Sequence, residues 1–547
     1  MNAGYILLFS IVWLVFAYIW YGNKIKNKVI RTDDSFITPS NEINDGKDFV
    51  PTKKSILFGH HFSSIAGAGP IVGPILAFAL FGWLPALIWI VLGSVFIGAV
   101  HDYAALMISL KNKGKSIVEI STRVISKKAG MIFTIFVWFT LVLVEAVFAD
   151  LTARTLINMP DIAVPTIGLI VVATLFGIFC IRPDRNVLIS TIIALIAITG
   201  LIISGEYFPI YLDYQVWLFF IILYCWLASI LPVWVLLQPR DYLSMYILLF
   251  GLAIGVAGVL IFQPTINAPA FVSFDSKSGP LFPMLFITIA CGAVSGFHSL
   301  VASGTSSKQL NKTSEGKLIS YGTMLTEAIL AVLVLCMVSS VLIWDKESAA
   351  TWNGFFGLLE KSSNIVFGHA IGLTIEKFGI PFYLGLSFGI LMINAFILTS
   401  LDTSARLGRY IVQETFGDKF GGFFKNKHTA TLVGLIFAYI IAATGSYNVI
   451  WAIFGTSNQL IAAIALFIVT IYFVGFKAPK WYTVIPAIFM LLVTEIAFVY
   501  QIFYIYVPKQ NWILAVSAAF LFILGLVIGI ECIQKIFFIK KEKAKTV

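Results

Sequence analysis

Long apolar runs recur along the whole of this 547-residue chain, and they constrain its fold more than any other feature. A helix needs about 20 apolar residues to cross the hydrocarbon core of a bilayer. Fifteen runs approach or exceed that length, which predicts an all-α polytopic membrane protein with about fifteen transmembrane helices. These runs are residues 4–22, 57–80, 83–110, 131–157, 165–181, 187–205, 215–237, 243–263, 281–303, 318–344, 380–401, 430–444, 447–475, 482–507 and 512–538.

The charged residues support the same class of protein. Only 12% of the residues are charged, whereas a soluble domain has about a quarter. The net charge of +10 comes from Lys and Arg in the loops between the runs, so we predict a lipid bilayer as partner and no nucleic acid. The five cysteines (Cys180, Cys225, Cys291, Cys336 and Cys532) lie in or beside apolar runs without C-x-x-C spacing, which predicts packed thiols.

Basic residues alternate between the two sides of the predicted bundle. Loops 23–54 and 111–130 are rich in Lys and Arg, whereas loops 158–164 and 206–214 contain neither. Because cytoplasmic loops carry the excess of these residues, we expect an external N-terminus and a cytoplasmic C-terminus. The polar, partly aromatic region 345–379 is expected to be an external loop with an amphipathic or re-entrant piece.

The second run cannot be an ordinary helix at its centre. Gly67-Ala68-Gly69-Pro70 is followed by Gly73-Pro74. Each proline removes a backbone donor and clashes with the preceding turn, and the glycines add backbone freedom. A span broken in mid-membrane lines a cavity where loose backbone groups can bind a substrate or ion. A plain proline kink is the alternative. His60 and His61 precede the break and project about 100° apart on a helix, so we expect at most one to face a cavity.

A second break is predicted at Pro232, within the polar and aromatic segment 226–242. It lies five spans after the first break and runs the opposite way. Two interrupted helices in corresponding positions of oppositely oriented halves are typical of an inverted-repeat transporter. We therefore predict a five-plus-five repeat core with two discontinuous helices. The predicted parts are 1–56 (first span and loop), 57–205 (first repeat), 206–412 (second repeat) and 413–547 (C-terminal four-helix region).

Ionisable side chains inside spans are costly, so each is a functional candidate. Glu145 lies in the fourth span and Glu327 in the tenth, and His101, Asp102, Asp150 and Glu495 also lie within spans. His298 and Ser306 share one helical face of the ninth span. The alternative for the acids is structural pairing with hydroxyls or amides, and for the hydroxyls close helix packing.

Two further segments are interpreted structurally. Asp402 and Arg406 have the i, i+4 spacing of an ion pair, which is typical of an anchored helix end at the cytoplasmic interface. Asn458 and Gln459 are expected to bridge helices through their amides.

The segments 44–51, 58–74, 295–309 and 402–410 and the Asn458-Gln459 pair resemble the carbon starvation protein A family, and the likeness covers nearly the whole chain. This family is similar to the amino acid–polyamine–organocation transporters. Its members are described as peptide transporters or proton-coupled pyruvate transporters of bacterial inner membranes, linked to starvation. The resemblance therefore implies a secondary symporter for a small carboxylate such as pyruvate, or for peptides, during nutrient starvation.

The residues leave the coupling ion open between proton and sodium, and the resemblance favours the proton. Sodium would use carbonyls near Ala66 and Gly67 with hydroxyls of the ninth span, whereas protons would use buried acids or histidines. No enzyme activity and no cofactor are predicted, and a sodium-coupled peptide or amino-acid transporter, a channel and a nutrient sensor are the alternatives. Substrate binding is assigned to His61, Ala68, Gly69, Pro70, Glu145, Ser229, Trp234 and His298. Ion coupling is assigned to Ala66, Gly67, Thr305, Ser306, Ser307 and Glu327, with Thr305 and Ser306 as a possible sodium site.

Overall fold

Helices make up most of the chain in the computed structural model. It describes residues 1–46, 48–179, 187–232, 235–345, 351–444, 447–475 and 478–537. The α-helices of this part are α1 Ala3–Ile25, α2 Pro39–Ile43, α3 Lys54–Ile65, α4 Gly69–Phe81, α5 Trp83–Gly93, α6 Ala99–Lys111, α7 Ile117–Val124, α8 Lys127–Asn158, α9 Ala163–Phe179, α10 Val187–Tyr207, α11 Tyr214–Ile230, α12 Leu237–Phe262, α13 Leu281–Thr288, α14 Gly296–Gly304, α15 Thr323–Val341, α16 Phe355–Lys361, α17 Ser363–Glu376, α18 Phe382–Phe420, α19 Gly422–Lys425, α20 Lys427–Thr444, α21 Tyr447–Gly475, α22 Trp481–Tyr500 and α23 Trp512–Phe537.

Short irregular elements complete this list. Turns of π- or 3-10 helix occupy Lys26–Ile30, Ser94–Gly98, Pro160–Ile162, Ser306–Lys308, Thr313–Glu315, Lys317–Gly322 and Gln501–Tyr506. One antiparallel hairpin pairs β1 Asp275–Ser276 with β2 Gly279–Pro280.

The predicted fold class, an all-α polytopic membrane protein, is confirmed. In the described part, eleven helices are long and apolar enough to cross a membrane, and α3 with α4 makes a twelfth if the bent pair is one span. Two shorter apolar helices, Tyr214–Ile230 and Lys427–Ala443, add to these. The number fifteen stays a prediction, because these two helices and the short pair α13 and α14 fall below the length of an ordinary span.

The first predicted break is present. α3 ends at Ile65 and α4 begins at Gly69, and the two helix axes differ by 40°. Ala66 leaves the helical region with φ −77° and ψ 56°. Pro70 lies in the first turn of α4, where its missing N–H breaks no bond. The segment is therefore a discontinuous helix and not only a kinked one.

The second predicted break is misplaced. Pro232 follows the end of α11, and Leu231 before it is extended (φ −70°, ψ 151°), as the residue before a proline prefers to be. α12 begins separately at Leu237. The interruption lies instead in the ninth apolar run, where α13 ends at Thr288 and α14 begins at Gly296. The division into four parts stays a prediction, and α18 continues past its proposed boundary at 412.

Connections gather at two faces of the bundle. Asn267 Nδ2 donates to Leu342 O at 2.9 Å on one face, and Ser40 Oγ donates to Leu310 O at 2.6 Å on the other. We call the first the hairpin face, residues 264–280 and 351–381, and the second the basic-loop face, residues 31–46, 48–53 and 305–316. Region 345–379 lies on the hairpin face, where its described residues include α16 and a largely buried α17 packed against α18.

The helices differ widely in burial. Within the most apolar 18-residue stretch of each helix, 83% is buried inside the protein for both Thr313–Val341 and Phe382–Gln413, but only 22% for Leu188–Tyr207. The first two therefore form the centre of the bundle, and α10 lies at its edge.

Candidate functional site

The two breaks lie side by side at the centre of the bundle. A Cβ on Gly69 would lie 2.4 Å from Cys291 Cβ, and one on Gly73 would lie 2.8 Å from Thr288 O. Real Cβ atoms do not approach this closely, so only glycine permits α4 to pack against the end of α13. The loose backbone of both interrupted helices is thereby brought to one place.

Amide side chains of α21 form hydrogen bonds with backbone groups on both sides of the second break. Asn458 Oδ1 accepts a hydrogen bond from Phe297 N at 2.8 Å, at the start of α14. Gln459 Nε2 donates to Phe286 O at 2.5 Å and to Ile289 O at 3.4 Å, near the end of α13. The prediction that these two amides bridge helices is confirmed, and their partners are the broken ends of one span.

Four buried ionisable side chains form what we call the Asp102 cluster: His101, Asp102, His298 and Glu327. Asp102 Oδ1 lies 2.7 Å from His101 Nδ1, and its Oδ2 lies 2.8 Å from His298 Nδ1. His298 Nε2 is 3.4 Å from Glu327 Oε2. All four are fully buried. Two carboxyl groups and two imidazoles from α6, α14 and α15 can share or release a proton with little movement.

His61 adjoins this cluster from the broken second span. Its Nδ1 lies 2.7 Å from Ser306 Oγ, just after α14, and it is fully buried. It also lies within electrostatic range of Asp102 and His298. The cluster is therefore linked to the helix that carries the first break.

A second group, the Arg240 cluster, consists of His60, Tyr224, Arg240, Asp241 and Asp402. Arg240 Nη1 donates to Asp402 and to Tyr224 Oη, and Nη2 donates to Asp241 Oδ1 at 3.3 Å. His60 Nδ1 is 3.3 Å from Asp241 Oδ2. Both partners of the Arg240–Asp402 pair are fully buried. This group joins α3, α11, α12 and α18 by charge.

A cavity of about 650 Å³ opens at the hairpin face, and we call it the vestibule. It reaches Thr288 at the end of α13, where the second break begins, and Leu76 of α4, about two turns beyond the first break. On the basic-loop side, the cavity that includes His60 and Arg406 measures only about 50 Å³. A neighbouring cavity of about 310 Å³, whose lining includes Lys113 and Tyr410, opens on the same side, and the vestibule is the largest of these three cavities.

Comparison with known proteins identifies the family. The model of the family described as carbon starvation protein CstA matches residues 2–351 and 358–497. The chain belongs to this family.

Curated relatives in the carbon starvation protein family match over most of their length. The chain is 34% identical to the peptide transporter CstA of Bacillus subtilis (86% of this chain, 85% of that one). It is 32% identical to the peptide transporter CstA of Escherichia coli (90% and 80%). It is also 31% identical to the pyruvate/proton symporter BtsT of Escherichia coli (92% and 82%). Transport is therefore the activity named for these relatives, and the starvation and membrane assignments of the sequence analysis are confirmed at family level.

A solved structure shares the fold of this family member. The Eremococcus coleocola manganese transporter, crystallised with an aromatic bis-isothiourea substituted compound, superposes with a TM-score of 0.54. The match covers 90% of this chain and 99% of the other, at 14% sequence identity. At this identity the likeness concerns the fold alone.

The structure brings together several residues that the sequence analysis assigned to the site. Ala68, Gly69 and Pro70 lie at the first break, and His61, His298 and Glu327 lie in or beside the Asp102 cluster. Asp102 and His101 were named only as ionisable residues in a span. A carboxylate and an imidazole adjacent in one apolar run were the signal that could have added them.

Other assigned residues lie elsewhere in this family member. A Cβ on Gly408 or Gly434 would lie 3.6 Å from a Glu145 oxygen, so Glu145 packs between α18 and α20. Ser229 Oγ is 3.2 Å from Thr431 Oγ1, at the contact of α11 with α20. Trp234 lies outside the described residues. Glu145 and Ser229 therefore stay predictions without a contact to the Asp102 cluster.

The proposed sodium site stays a prediction, and the hydroxyls assigned to it make the following contacts. Thr305 Oγ1 donates to Val301 O of its own helix at 2.9 Å, and Ser306 contacts His61. Ser307 Oγ accepts from Ser109 and donates to Ser303 O. At the first break, Gly67 faces Ser400 of α18, whose Oγ would lie 2.5 Å from an added Cβ. Ala66 is buried at the same break.

One local interpretation is wrong. Asp402 pairs with Arg240 of α12 and not with Arg406, whose Nη2 donates to Ala228 O at 2.9 Å and Leu231 O at 2.7 Å. Arg406 thus satisfies carbonyls at the end of α11. The expectation that at most one of the adjacent histidines faces a cavity agrees with the structure. His60 lines the small cavity on the basic-loop side, whereas His61 is fully buried and lies 2.7 Å from Ser306 Oγ.

Proposed function

We propose that this protein is a proton-coupled symporter that imports a small monocarboxylate such as pyruvate into a bacterial cell during carbon starvation. The hairpin face is external, with the N-terminus outside and the C-terminus in the cytoplasm of the inner membrane. The observation that carries the proposal is the Asp102 cluster beside two interrupted helices. The name of one relative, a pyruvate/proton symporter, supports the same combination.

The substrate carboxylate is proposed to lie at the first break. The positive end of the α4 dipole points there, from Gly69 and Pro70, and it favours a negative charge. Pro70 has no N–H and Ile71 N and Val72 N donate to Ala68 O, so the attraction comes mainly from the dipole. The N-terminus of α14 is less available, since Asn458 Oδ1 already accepts from Phe297 N. Leu76 and Met284 give the vestibule an apolar lining past which the methyl end of the substrate would travel to this break.

Proton coupling is assigned to the Asp102 cluster. Buried carboxylates without full compensation are expensive, so a proton taken up by the cluster lowers the cost of closing the site. The groups that face each other there are His61 from α3, His101 and Asp102 from α6, His298 from α14 and Glu327 from α15. An anion that arrives at the neighbouring break adds negative charge and so favours uptake of a proton by the cluster.

The test is uptake by the purified protein in proteoliposomes. In sodium-free buffer, an inside-alkaline pH gradient should drive pyruvate accumulation, and collapse of the gradient should abolish it. Glu327→Gln should lose accumulation but retain pyruvate exchange, because the amide cannot carry the proton. The exposed Glu119→Gln is the matched control. Uptake that requires sodium and ignores the pH gradient would overturn proton coupling.

Peptides are the second candidate substrate, favoured by the names of several relatives. A dipeptide that is accumulated in the same assay, and that displaces pyruvate, would assign the site to peptides. Failure of a dipeptide to compete supports the monocarboxylate.

A further inference from the structure

Four basic side chains from four different elements line the vestibule. Arg154 comes from α8, Lys277 from the turn between β1 and β2, Lys361 from the end of α16, and Lys509 from the connection between α22 and α23. Loops 158–164 and 206–214, which we place on the same side of the membrane, contain no Lys or Arg. Among the described residues, four basic side chains on this side are thus gathered at the vestibule, whereas Lys377 lies over Phe262 and outside the lining.

The charges around this opening do not cancel. Arg154 is neutralised by Asp150, whose Oδ2 is 2.9 Å from its Nε. Glu360 is the acidic residue among those that line the vestibule, against the three exposed lysines. Asp275 lies near Lys277 in the hairpin but is not part of the lining. The lining therefore carries a net positive charge of about two.

Charge and apolar surface are separated within the vestibule. The lysines are exposed, whereas the deeper lining includes the apolar side chains Leu76, Leu151, Met284 and Trp451. The floor ends at Thr288, beside the second break. A cavity of about 650 Å³ exceeds a three-carbon acid several-fold, so it suits capture of an anion and not a tight fit.

We propose that the vestibule is an external recruitment site for small monocarboxylate anions, in which Lys277, Lys361 and Lys509 raise the local anion concentration. The identity of the anion rests on the proposed function. A cleft with charges of one sign and low-dielectric walls focuses the field and raises on-rates by roughly 10- to 1000-fold. Salt screens such a field, because the Debye length is only about 8 Å at physiological ionic strength.

The first experiment measures the field without any transported substrate. Ser278→Cys places a thiol in the vestibule, and Leu212→Cys places one on an exposed loop outside it. We compare the reaction rates of each thiol with an anionic and a cationic methanethiosulfonate in proteoliposomes, after subtraction of the rate of the protein without the added cysteine. The anionic-to-cationic ratio should be about tenfold higher at position 278 than at position 212 in low salt.

Removal of the three lysines should erase this difference. In Lys277→Gln/Lys361→Gln/Lys509→Gln, the ratio at position 278 should fall to that at position 212. In the protein that keeps all three lysines, 0.5 M salt should lower the ratio at position 278 in a similar way. Equal ratios at both positions before the lysines are replaced would overturn the recruitment site, whatever the protein transports.

The second experiment measures transport. The triple variant should raise KM for pyruvate about three- to tenfold and leave kcat unchanged, because the lysines act before binding at the breaks. The matched control neutralises three exposed lysines on the basic-loop side, Lys53, Lys54 and Lys127. An unchanged KM in the vestibule variant contradicts recruitment but leaves the symporter proposal standing. If the protein carries no pyruvate, the symporter proposal is wrong. The thiol ratios then still test whether the vestibule raises the local anion concentration.

Discussion

Arg240 is a cation with no access to solvent, and its charge is balanced inside the protein. Asp402 and Asp241 supply two carboxylates, and Tyr224 accepts a further hydrogen bond from the guanidinium. Removal of one partner from a buried ion pair leaves an uncompensated charge, which costs far more than the pair contributes. The sequence analysis left Arg240 outside the membrane, between the predicted spans 215–237 and 243–263.

Asp402→Asn should lower the free energy of unfolding by about 3–5 kcal/mol, because it leaves Arg240 buried with a weaker partner. The half-exposed Glu119→Gln, which removes a surface ion pair, should cost at most about 1 kcal/mol. Unfolding in mixed micelles measures both. In the double variant with Arg240→Met, the total cost should fall short of the sum of the single costs by about 1–3 kcal/mol. Additive costs would show that the two residues do not interact.

Gly69→Ala tests the close approach of the two breaks. Its Cβ would meet Cys291 at 2.4 Å, so overpacking should cost about 1–3 kcal/mol and abolish most uptake. Gly200→Ala, with no atom within 4 Å of the added Cβ, is the control and should leave uptake unchanged. Adding Cys291→Gly should restore part of the uptake. Normal uptake by Gly69→Ala would mean that α4 and the second break are not in contact during transport.

At the scale of elements, the two broken helices differ in how they are encoded. Prolines and glycines mark the first break, so its position could be predicted from local backbone chemistry. The second, at 289–295, contains no proline, and it depends on Asn458 and Gln459 of α21, more than 150 residues away. A local pattern cannot reveal an interruption whose hydrogen bonds are satisfied from a distant helix. Pro232, which interrupts the seventh apolar run five spans after the first break, therefore drew the prediction to the end of α11.

Asn458→Ala should leave Phe297 N and Ser295 Oγ without their partner at the start of α14. Loss of a buried partner costs about 1–3 kcal/mol, and the broken span should lose its geometry, so uptake should fall at least tenfold. Asn158→Ala removes an exposed amide that bonds only within its own helix end and should have little effect. Wild-type uptake by the first variant would show that the amide is dispensable for the break. Thermal unfolding and initial rates measure the two effects separately.

For the whole molecule, the alternation of apolar runs and basic loops predicted the class and most spans, since both follow from the bilayer as a solvent. The Asp102 and Arg240 clusters were predicted only in part. Their members come from seven helices, and which buried charges meet depends on tertiary packing that no spacing within one helix encodes.

The proposed orientation predicts which cysteines an impermeant thiol reagent can reach. Leu212→Cys should react from outside intact cells, whereas Lys113→Cys should react only after the membrane is opened. Both side chains are exposed, at 37% for Leu212 and 73% for the side chain of Lys113, so access to the membrane side and not burial decides the outcome. The reverse pattern would place the vestibule in the cytoplasm.

The shallow packing of α10 has a consequence for how the family can diversify. With 22% of its apolar window buried, Leu188–Tyr207 meets mainly acyl chains, which accept any side chain of suitable hydrophobicity. Substitutions at these positions should have little effect as long as the new side chain is apolar. Substitutions in α15 or α18 should be tolerated less, because neighbouring helices surround those side chains. A saturation library should therefore tolerate Leu, Ile, Val and Phe interchangeably along α10. The same edge is the natural place to attach a fluorophore or a rigid marker that must not disturb the centre.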